Sequence, residues 1–218
     1  SGTDGADTNF VSNRADLHSS PAIRVAGRKA MELAGVTPDD IDHVDLYSCF
    51  PSAVQIAATE MELGIDRQLT QTGGLTFAGG PLNNYVTHSI ATMANVLRED
   101  AGTVGLCSAN GGYITKHAFG LYSTTPPSNG FKHQDCQTEI DAFPSVDLDA
   151  EHVGSGTIEA YTVMHGADGP ERGLASVRTP NGRQWAGTSD LPLMESMMTE
   201  EHVGRSVQVL PDFSFELV

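Results

Sequence analysis

The sequence predicts a layered α/β domain, with helices on both faces of a mixed sheet, followed by a small β-barrel. Three observations lead to this fold class. Residues 15–123 alternate helix-type and strand-type hydrophobic patterns. Residues 124–154 mix Pro, Gly, Ser and acidic residues with little periodicity, which is typical of a linker. From residue 155 to residue 218, short strand-like runs alternate with turn-forming residues, which favours a barrel. Residues 1–14, rich in Gly, Asp and Asn, are predicted as an N-terminal loop.

Three helices are predicted in the α/β region. The first begins at Pro21 and ends at Gly35, because proline suits the first helical position and glycine the position after the last. Apolar residues three and four apart predict a second helix over 51–63 and a third over 83–98. Asn83 and Asn84, at the start of the third helix, are interpreted as caps.

The strands of this region are predicted between the helices. Residues 41–50 form a buried strand that ends in small polar residues, and residues 69–77 are predicted as the next strand. Two further strand-rich segments, 103–112 and 113–123, are separated by the pair Gly111-Gly112. The order of elements is that of a sheet whose helices cover both faces.

The C-terminal region is predicted to be almost all β. Strand-type runs occupy 157–166, 173–179, 183–189 and 204–210, and residues 191–204 supply one short helix. Asn181-Gly182 predicts a hairpin with a type I′ turn between the second and third runs.

The charge of the chain excludes several classes of partner. A formal net charge of −16 leaves few cations to neutralise phosphates, so neither a nucleic-acid nor an anionic membrane surface is expected. The chain contains no apolar run of the roughly 18 residues that a membrane span needs, and the first residues lack the regions of a signal peptide. We therefore expect a cytoplasmic protein. Since the chain does not begin with Met, we also expect a fragment of something longer.

The three cysteines, Cys49, Cys107 and Cys136, are too sparse for a disulfide framework and are expected to be free thiols. His133 and Cys136 have the spacing of a ligand pair. A metal site needs three or four ligands, and no second pair lies nearby, so no metal site is predicted.

Three motifs fall at strand ends or glycine-rich turns, where α/β domains place ligands. They are YSCF (47–50), the two glycine pairs of GGLTFAGGP (73–81), and LCSANGG (106–112). In their order and spacing, residues 15–125 resemble the C-terminal half of a thiolase, most closely the sterol-carrier-protein type and the actinobacterial thiolase-like proteins. Residues 155–210 are similar to the additional C-terminal domain of thiolase-like proteins type 1, an oligonucleotide/oligosaccharide-binding type of barrel that we expect to act in packing.

The resemblance implies roles for individual residues. Cys49 falls on the family's cysteine in the first motif, and Tyr47 replaces the Asn or His that helps to hold a catalytic water or an oxyanion. Cys107 falls on the acid/base cysteine of the third motif. The family's catalytic histidine, in Gly-His-Pro, is replaced by Gly80. Substrate-binding roles are implied for four small residues whose backbone would approach the thioester: Gly79, Gly80, Ala109 and Gly111.

Each of these residues also has a purely structural interpretation. A buried cysteine is a small core hydrophobe, and this reading is stronger for Cys107, which follows Val104 and Leu106 on an apolar strand. The glycine pairs permit positive φ angles and tight turns. His88 and His117 are considered as substitutes for the missing histidine, against ordinary surface or core roles.

The chain is predicted to be part of a thiolase-like acyl-CoA acyltransferase, with a coenzyme A thioester as substrate and no other cofactor. The chain would supply acid/base and oxyanion groups, whereas the nucleophilic cysteine would come from an N-terminal thiolase half or an equivalent protein partner. The alternative is a non-catalytic module that binds acyl-CoA or a protein partner. Gly80 favours this alternative, and the two thiols favour the enzyme.

Overall fold

The computed structural model describes residues 1–8 and 10–218, which form two compact units. The first unit comprises Ser1–Phe10 and His18–Pro144, so it extends beyond the predicted domain end at 123. The second comprises Val11–Leu17 and Ser145–Val218. The chain therefore passes from the first unit into the second and back before its first long helix.

The first unit contains a mixed sheet, as predicted, and this sheet has five strands. Its strands are β1 (Gly2–Ala6), β2 (His43–Asp45), β3 (Val104–Gly111), β4 (Lys116–Ser123) and β5 (His133–Asp135). The order is β2-β3-β4-β1-β5. The pairs β2/β3 and β1/β5 are parallel, whereas β3/β4 and β1/β4 are antiparallel.

Helices pack on both faces of this sheet. They are α1 (Pro21–Ala34), α2 (Pro51–Glu60), α3 (Leu75–Ala78), α4 (Tyr85–Glu99) and α5 (Gln137–Ile140). Leu106 of β3 belongs to a core cluster with α1 and α2, whereas its neighbour Cys107 packs with Met93 and Leu97 of α4. Adjacent strand residues point to opposite faces, so α1 and α4 cover different sides. The prediction of helices on both faces is confirmed.

Three local predictions for this unit are wrong. Residues 69–77 do not form a strand, since the chain is a loop up to Gly74 and then enters α3. The predicted loop over 1–14 contains β1, and the predicted linker over 124–154 contains β5 and α5. The β1 and β5 strands consist mostly of small and polar residues. They form because their backbones find partners far away in sequence, which a local hydrophobic pattern does not reveal.

The second unit contains an antiparallel sheet of order β10-β9-β6-β7-β8. Its elements are β6 (Gly154–Gly166), β7 (Gly169–Thr179), β8 (Gly182–Thr188), α6 (Leu191–Thr199), β9 (Ser206–Val209) and β10 (Phe215–Leu217). The predicted short helix is confirmed. The predicted barrel is not, because this strand order does not close on itself within the described residues. A single bridge between Gly187 and Ser214 joins β8 to the residue before β10.

The predicted hairpin between β7 and β8 is confirmed, but its turn type is wrong. Thr179 pairs with Gly182, so the turn residues are Pro180 and Asn181. A type I′ turn requires positive φ at both turn residues, and neither has it. The reason is Pro180, whose ring fixes φ near −65° and therefore favours an ordinary turn.

A buried charge network holds the second unit together. The Arg183 side chain is fully buried and forms an ion pair with Glu159, which also pairs with Arg178 at 2.8 Å. The Arg183 Nη1 group donates hydrogen bonds to the backbone carbonyls of three residues in the segment that precedes α1: Val11, Ser12 and Arg14. Arg183 thereby attaches this N-terminal segment to the sheet.

Candidate functional site

The candidate site lies where β2 and β3 end, as the sequence predicts for an α/β domain. These two strands are parallel neighbours, with Asp45 paired to Cys107, so their carboxyl ends lie at one edge of the sheet. A cavity of about 600 Å³ opens there. Its walls are mostly apolar and include both predicted and unpredicted residues: Tyr47, Cys49, Phe50, Leu82, Asn83, Val86, the run 109–113, Lys116, His117 and Ala118.

Cys49 supplies the thiol of this cavity. It lies in the loop between β2 and α2, is partly exposed, and lines the wall. The side-chain amide of Asn110, at the end of β3, donates a hydrogen bond to the Cys49 sulfur over 3.4 Å. The two predicted residues Ala109 and Gly111 flank Asn110 and line the same wall. The first and third motifs of the sequence therefore meet at Cys49.

Tyr47, for which the resemblance implies a catalytic role, also lines the cavity. Its ring contacts that of Tyr85 edge to face, with 5.2 Å between ring centroids, and its backbone N–H donates to Ser108 Oγ. Burial, and secondarily the nearby Cys49, raises the pKa of the Tyr47 phenol. The hydroxyl group is therefore protonated at neutral pH and is available as a hydrogen-bond donor.

Cys107, predicted as a second acid/base thiol, is in a different environment. It is only 3% exposed, packs beneath α4, and is not among the cavity-lining residues of the described chain. Burial raises its pKa to about 11. A buried, protonated thiol is poorly suited to proton transfer, so its environment favours the core interpretation.

The two thiols are expected to differ greatly in reactivity. With a pKa of about 11, only about one Cys107 in ten thousand is a thiolate at pH 7. Iodoacetamide should therefore label Cys49 in the folded protein at least about 100-fold faster than Cys107, as measured by peptide mass spectrometry. In urea, where both thiols are exposed, the two labelling rates should become equal. Equal rates in the native state would contradict the assignment of Cys49 to the cavity and Cys107 to the core.

The loop between α2 and α3 is held by a buried carboxylate. Asp45 is fully buried; its Oδ2 accepts hydrogen bonds from the backbone N–H groups of Gln71 and Thr72 and from the Thr70 hydroxyl. Its Oδ1 accepts from the Tyr85 hydroxyl at 2.9 Å. Asp45 therefore fixes the start of the glycine-rich segment to the end of β2.

The structural reason for glycine differs between the two glycine pairs. Gly74 has a φ of 76°, and a side chain there would meet Ser48 Oγ, which accepts a hydrogen bond from the Leu75 N–H. Gly79 has a φ of 80°, but a side chain at Gly79 or Gly80 would meet almost nothing. Gly80 has no positive φ. Neither Gly79 nor Gly80 lines the cavity in the described structure, although Leu82 and Asn83 just after them do.

Of the two histidines considered as substitutes, one lies at the cavity. His117 of β4 lines the cavity and pairs across the sheet with Asn110. Its side chain is buried, and its Nε2 atom lies 3.8 Å from Asp7 Oδ2. His88 of α4 is exposed and forms a hydrogen bond with the Ala78 carbonyl, immediately before the second glycine pair. It is not among the described cavity-lining residues.

Sequence reasoning missed the importance of Asn110 and Lys116. Both lie in the predicted strand segments 103–112 and 113–123, but a lone asparagine or lysine carries no motif. The antiparallel register of β3 and β4, in which Gly111 faces Lys116, brings them to one wall. Only that register could have identified them.

Among the described residues, no group of three or more His, Cys, Asp or Glu side chains is arranged to hold a metal ion. None of the described helices combines the length and apolar character that crossing a bilayer requires.

Comparisons with known proteins point to one superfamily. Residues 3–68 match the thiolase C-terminal domain-like family, and residues 135–213 match the thiolase-like protein type 1 additional C-terminal domain. A 3-ketoacyl-CoA thiolase from Marinomonas sp. (strain MWYL1) is 37% identical over 87 residues, which cover 38% of this chain and 22% of the thiolase.

A crystal structure gives the more extensive match. A monomeric SCP2-thiolase like protein type 1 from Mycobacterium smegmatis is 35% identical, with a TM-score of 0.87 over 100% of this chain and 49% of that protein. The chain thus spans about half the length of this relative and a smaller share of the thiolase.

Proposed function

Because the chain belongs to the thiolase superfamily and carries the additional C-terminal domain of type 1 thiolase-like proteins, we propose that its cavity is one wall of an acyl-CoA site. In this site Cys49 is the acid/base group of an acyltransferase reaction. The acyl-accepting cysteine comes from an N-terminal thiolase half or an equivalent protein partner.

The observation that carries this proposal is the placement of Cys49. Its thiol is partly exposed on the wall of a large cavity, and an amide N–H group is directed at its sulfur. Cys107 lacks both properties. A thiol can move a proton only when it is accessible and when its surroundings accommodate the thiolate.

The neighbouring residues fit the remaining tasks. As a thiol, Cys49 would give a proton to the departing group, and as a thiolate it would take a proton from the carbon next to the thioester. The protonated Tyr47 hydroxyl and the backbone N–H groups of Ala109 and Gly111 are our candidates to bind the thioester oxygen. The apolar walls would exclude water and so strengthen these polar contacts.

Lys116 supports an anionic ligand such as coenzyme A. It is exposed and places a positive charge at the cavity, in a chain whose net charge is −16. Since coenzyme A carries phosphates, an ammonium group at the rim would attract it. Apolar walls beside a cation suit a ligand with an apolar acyl group and a charged nucleotide end.

A second function, binding without catalysis, is favoured by one specific observation. The position where the resemblance expects histidine is Gly80, and the space that a side chain would occupy there is open. Loss of such a group costs roughly 10²–10⁴-fold in rate. A site that retains its cavity without this group could still hold an acyl-CoA or a protein partner.

Binding is tested by protection of Cys49. Acetyl-CoA should slow iodoacetamide labelling of Cys49 and leave Cys107 labelling unchanged, because only Cys49 lines the cavity. Lys116→Met should weaken this protection several-fold at low salt, whereas the same change at Lys132, away from the cavity lining, should not. Absence of protection at millimolar acetyl-CoA would refute acyl-CoA binding by this chain.

Turnover separates the enzyme from the binder. On this proposal the isolated chain should not turn over acetoacetyl-CoA above a Cys49→Ala/Cys107→Ala control, because the nucleophile would come from the N-terminal thiolase half. When such a half is supplied, turnover should appear and fall by roughly 10²–10⁴-fold in Cys49→Ala. Protection without any turnover in the combined protein would support the binding function and exclude an acyltransferase that uses acetoacetyl-CoA.

A further inference from the structure

We infer that Asn110 is a positioning residue for Cys49. The side-chain amide of Asn110 stabilises the Cys49 thiolate and thereby sets the reactivity of this thiol. The effect of Asn110 on thiol reactivity follows from the geometry alone, whereas its role in proton transfer during an acyl-CoA reaction rests on the proposed function.

The contact is built by the fold and not by local sequence. Cys49 and Asn110 are 61 residues apart, and their side chains meet because β2 and β3 are parallel neighbours. Asn110 lies near the end of β3, where its backbone is registered against His117 of β4. A residue on a paired strand is held more rigidly than one in a loop, so the amide is directed at the sulfur with little freedom.

The direction of the hydrogen bond determines its effect. The Asn110 Nδ2 group donates to Cys49 Sγ over 3.4 Å. A donated hydrogen bond favours the charged form of an acidic group, because a thiolate accepts more strongly than a thiol. The amide carries no net charge, so it can favour the thiolate without introducing a competing ion pair.

A second observation argues against a purely structural role for Asn110. Its Oδ1 atom is buried and accepts no hydrogen bond from the described residues. A buried acceptor without a partner is unfavourable, and an apolar side chain would pack there at lower cost. Buried polar atoms without a hydrogen-bond partner are rare in native proteins, and a functional role is one reason for keeping them. The same amide lines both the large cavity and a small one behind it.

The other titratable groups around the cavity define the background for a test. Tyr47 and Tyr113 lie on loops, and Lys116 and His117 on β4 line the same wall. These four side chains are the same in wild-type protein and in Asn110→Ala, and the substitution adds no charge. A shift in the pH dependence of Cys49 reactivity in Asn110→Ala is therefore attributed to loss of the amide.

The experiment measures the iodoacetamide labelling rate of Cys49 as a function of pH in the full chain, with peptide mass spectrometry to separate the three cysteines. In Asn110→Ala, the rate at pH 7 should fall about threefold to tenfold, and the midpoint of the pH–rate profile should move to higher pH. The limiting rate at high pH should be unchanged or higher, since a less stabilised thiolate is the stronger nucleophile.

Asn110→Asp gives the sharper comparison. The aspartate has the same shape, lacks the donor and adds a negative charge, so the midpoint should move further than in Asn110→Ala. Asn95→Ala, the same change at an exposed position of α4, is the control and should leave the profile unchanged. Circular dichroism and continued slow labelling of Cys107 show whether each variant is folded.

Two results would overturn the inference. A profile in folded Asn110→Ala that superposes on the wild-type profile would show that the amide does not act on the thiol. Faster labelling at all pH values without a shift in midpoint would show that Asn110 only shields Cys49. Neither result depends on a thioester, so acetyl-CoA protection would still test the proposed function separately.

Discussion

Replacement of Asp45 by asparagine is expected to destabilise the protein by about 3 kcal/mol, although the two side chains have the same shape. Asp45 accepts four hydrogen bonds while fully buried, two of them from the backbone N–H groups of Gln71 and Thr72. Asparagine has one acceptor atom and one NH₂ group. If the NH₂ group takes the place of Oδ2, the two backbone N–H groups lose their acceptor. If it takes the place of Oδ1, the Tyr85 hydroxyl must turn to accept from it, and every remaining hydrogen bond loses the charge of the carboxylate.

The effect should extend from stability to the site. Asp45 anchors the segment that leads into α3 and on to Leu82 in the cavity wall. Asp45→Asn should therefore increase both hydrogen exchange of residues 70–80 and the labelling rate of Cys107, which lies beside Asp45 across the β2/β3 pair. Burial raises the pKa of Tyr85 to about 12, so in the wild-type protein its hydroxyl stays protonated and can donate to Asp45 at any ordinary pH.

Urea denaturation followed by circular dichroism measures the change in unfolding free energy. Asp66→Asn, at an exposed position of the same unit, is the matched control and should change it by no more than about 0.5 kcal/mol. A loss below about 1 kcal/mol in Asp45→Asn would mean that the carboxylate is dispensable for the loop.

Replacement of Arg183 by methionine is the second large effect, and we expect it to destabilise the second unit by about 3–5 kcal/mol. The guanidinium is fully buried, pairs with Glu159, and donates to three carbonyl groups of the segment before α1. Methionine fills similar space but provides no donor. The three carbonyls lose this donor, and Glu159 keeps Arg178 as an ion-pair partner together with the hydrogen bond from the Ser176 hydroxyl.

The single tryptophan of the chain provides the measurement. Trp185 lies on β8, two residues from Arg183, and its indole N–H donates to Ser12 Oγ. Its fluorescence during urea denaturation therefore reports on the second unit. Arg205→Met removes an exposed pair with Glu200 in the same unit and should cost only about 0–1 kcal/mol. Equal losses in the two arginine variants would refute the special role of Arg183.

The same pair predicts a dependence on pH. Burial raises the pKa of Glu159, but hydrogen bonds from Arg183 and Ser176 and the charge of the arginines outweigh it, so the pKa lies below its ordinary value. The stabilisation that this carboxylate contributes is fully present above its pKa in the unfolded state, about 4.3. It is lost as the pH falls through the lower pKa of the folded state. Arg183→Met should make the stability of this unit less dependent on pH in that acidic range.

The sequence by itself determined those elements that depend on neighbouring residues. Pro21 and Gly35 mark the two ends of α1, as predicted from the preferences of proline and glycine at helix ends. The second helix, α2, begins at Pro51, as predicted from the spacing of its apolar residues. The β7/β8 hairpin and α6 were likewise predicted from short patterns. The order of the three motifs indicated the superfamily that the comparisons support.

The tertiary structure alone decided which of those residues meet. The sheet is covered on both faces, so Leu106 and Cys107 are both buried, and an apolar strand pattern could not indicate which face leads to the cavity. Strands β1 and β5 pair with residues more than 100 positions away, and the hydrogen bond from Asn110 to Cys49 joins residues 61 positions apart. A local sequence pattern involves residues only a few positions apart. Strand register and side-chain direction, in contrast, are fixed only when the whole sheet has formed.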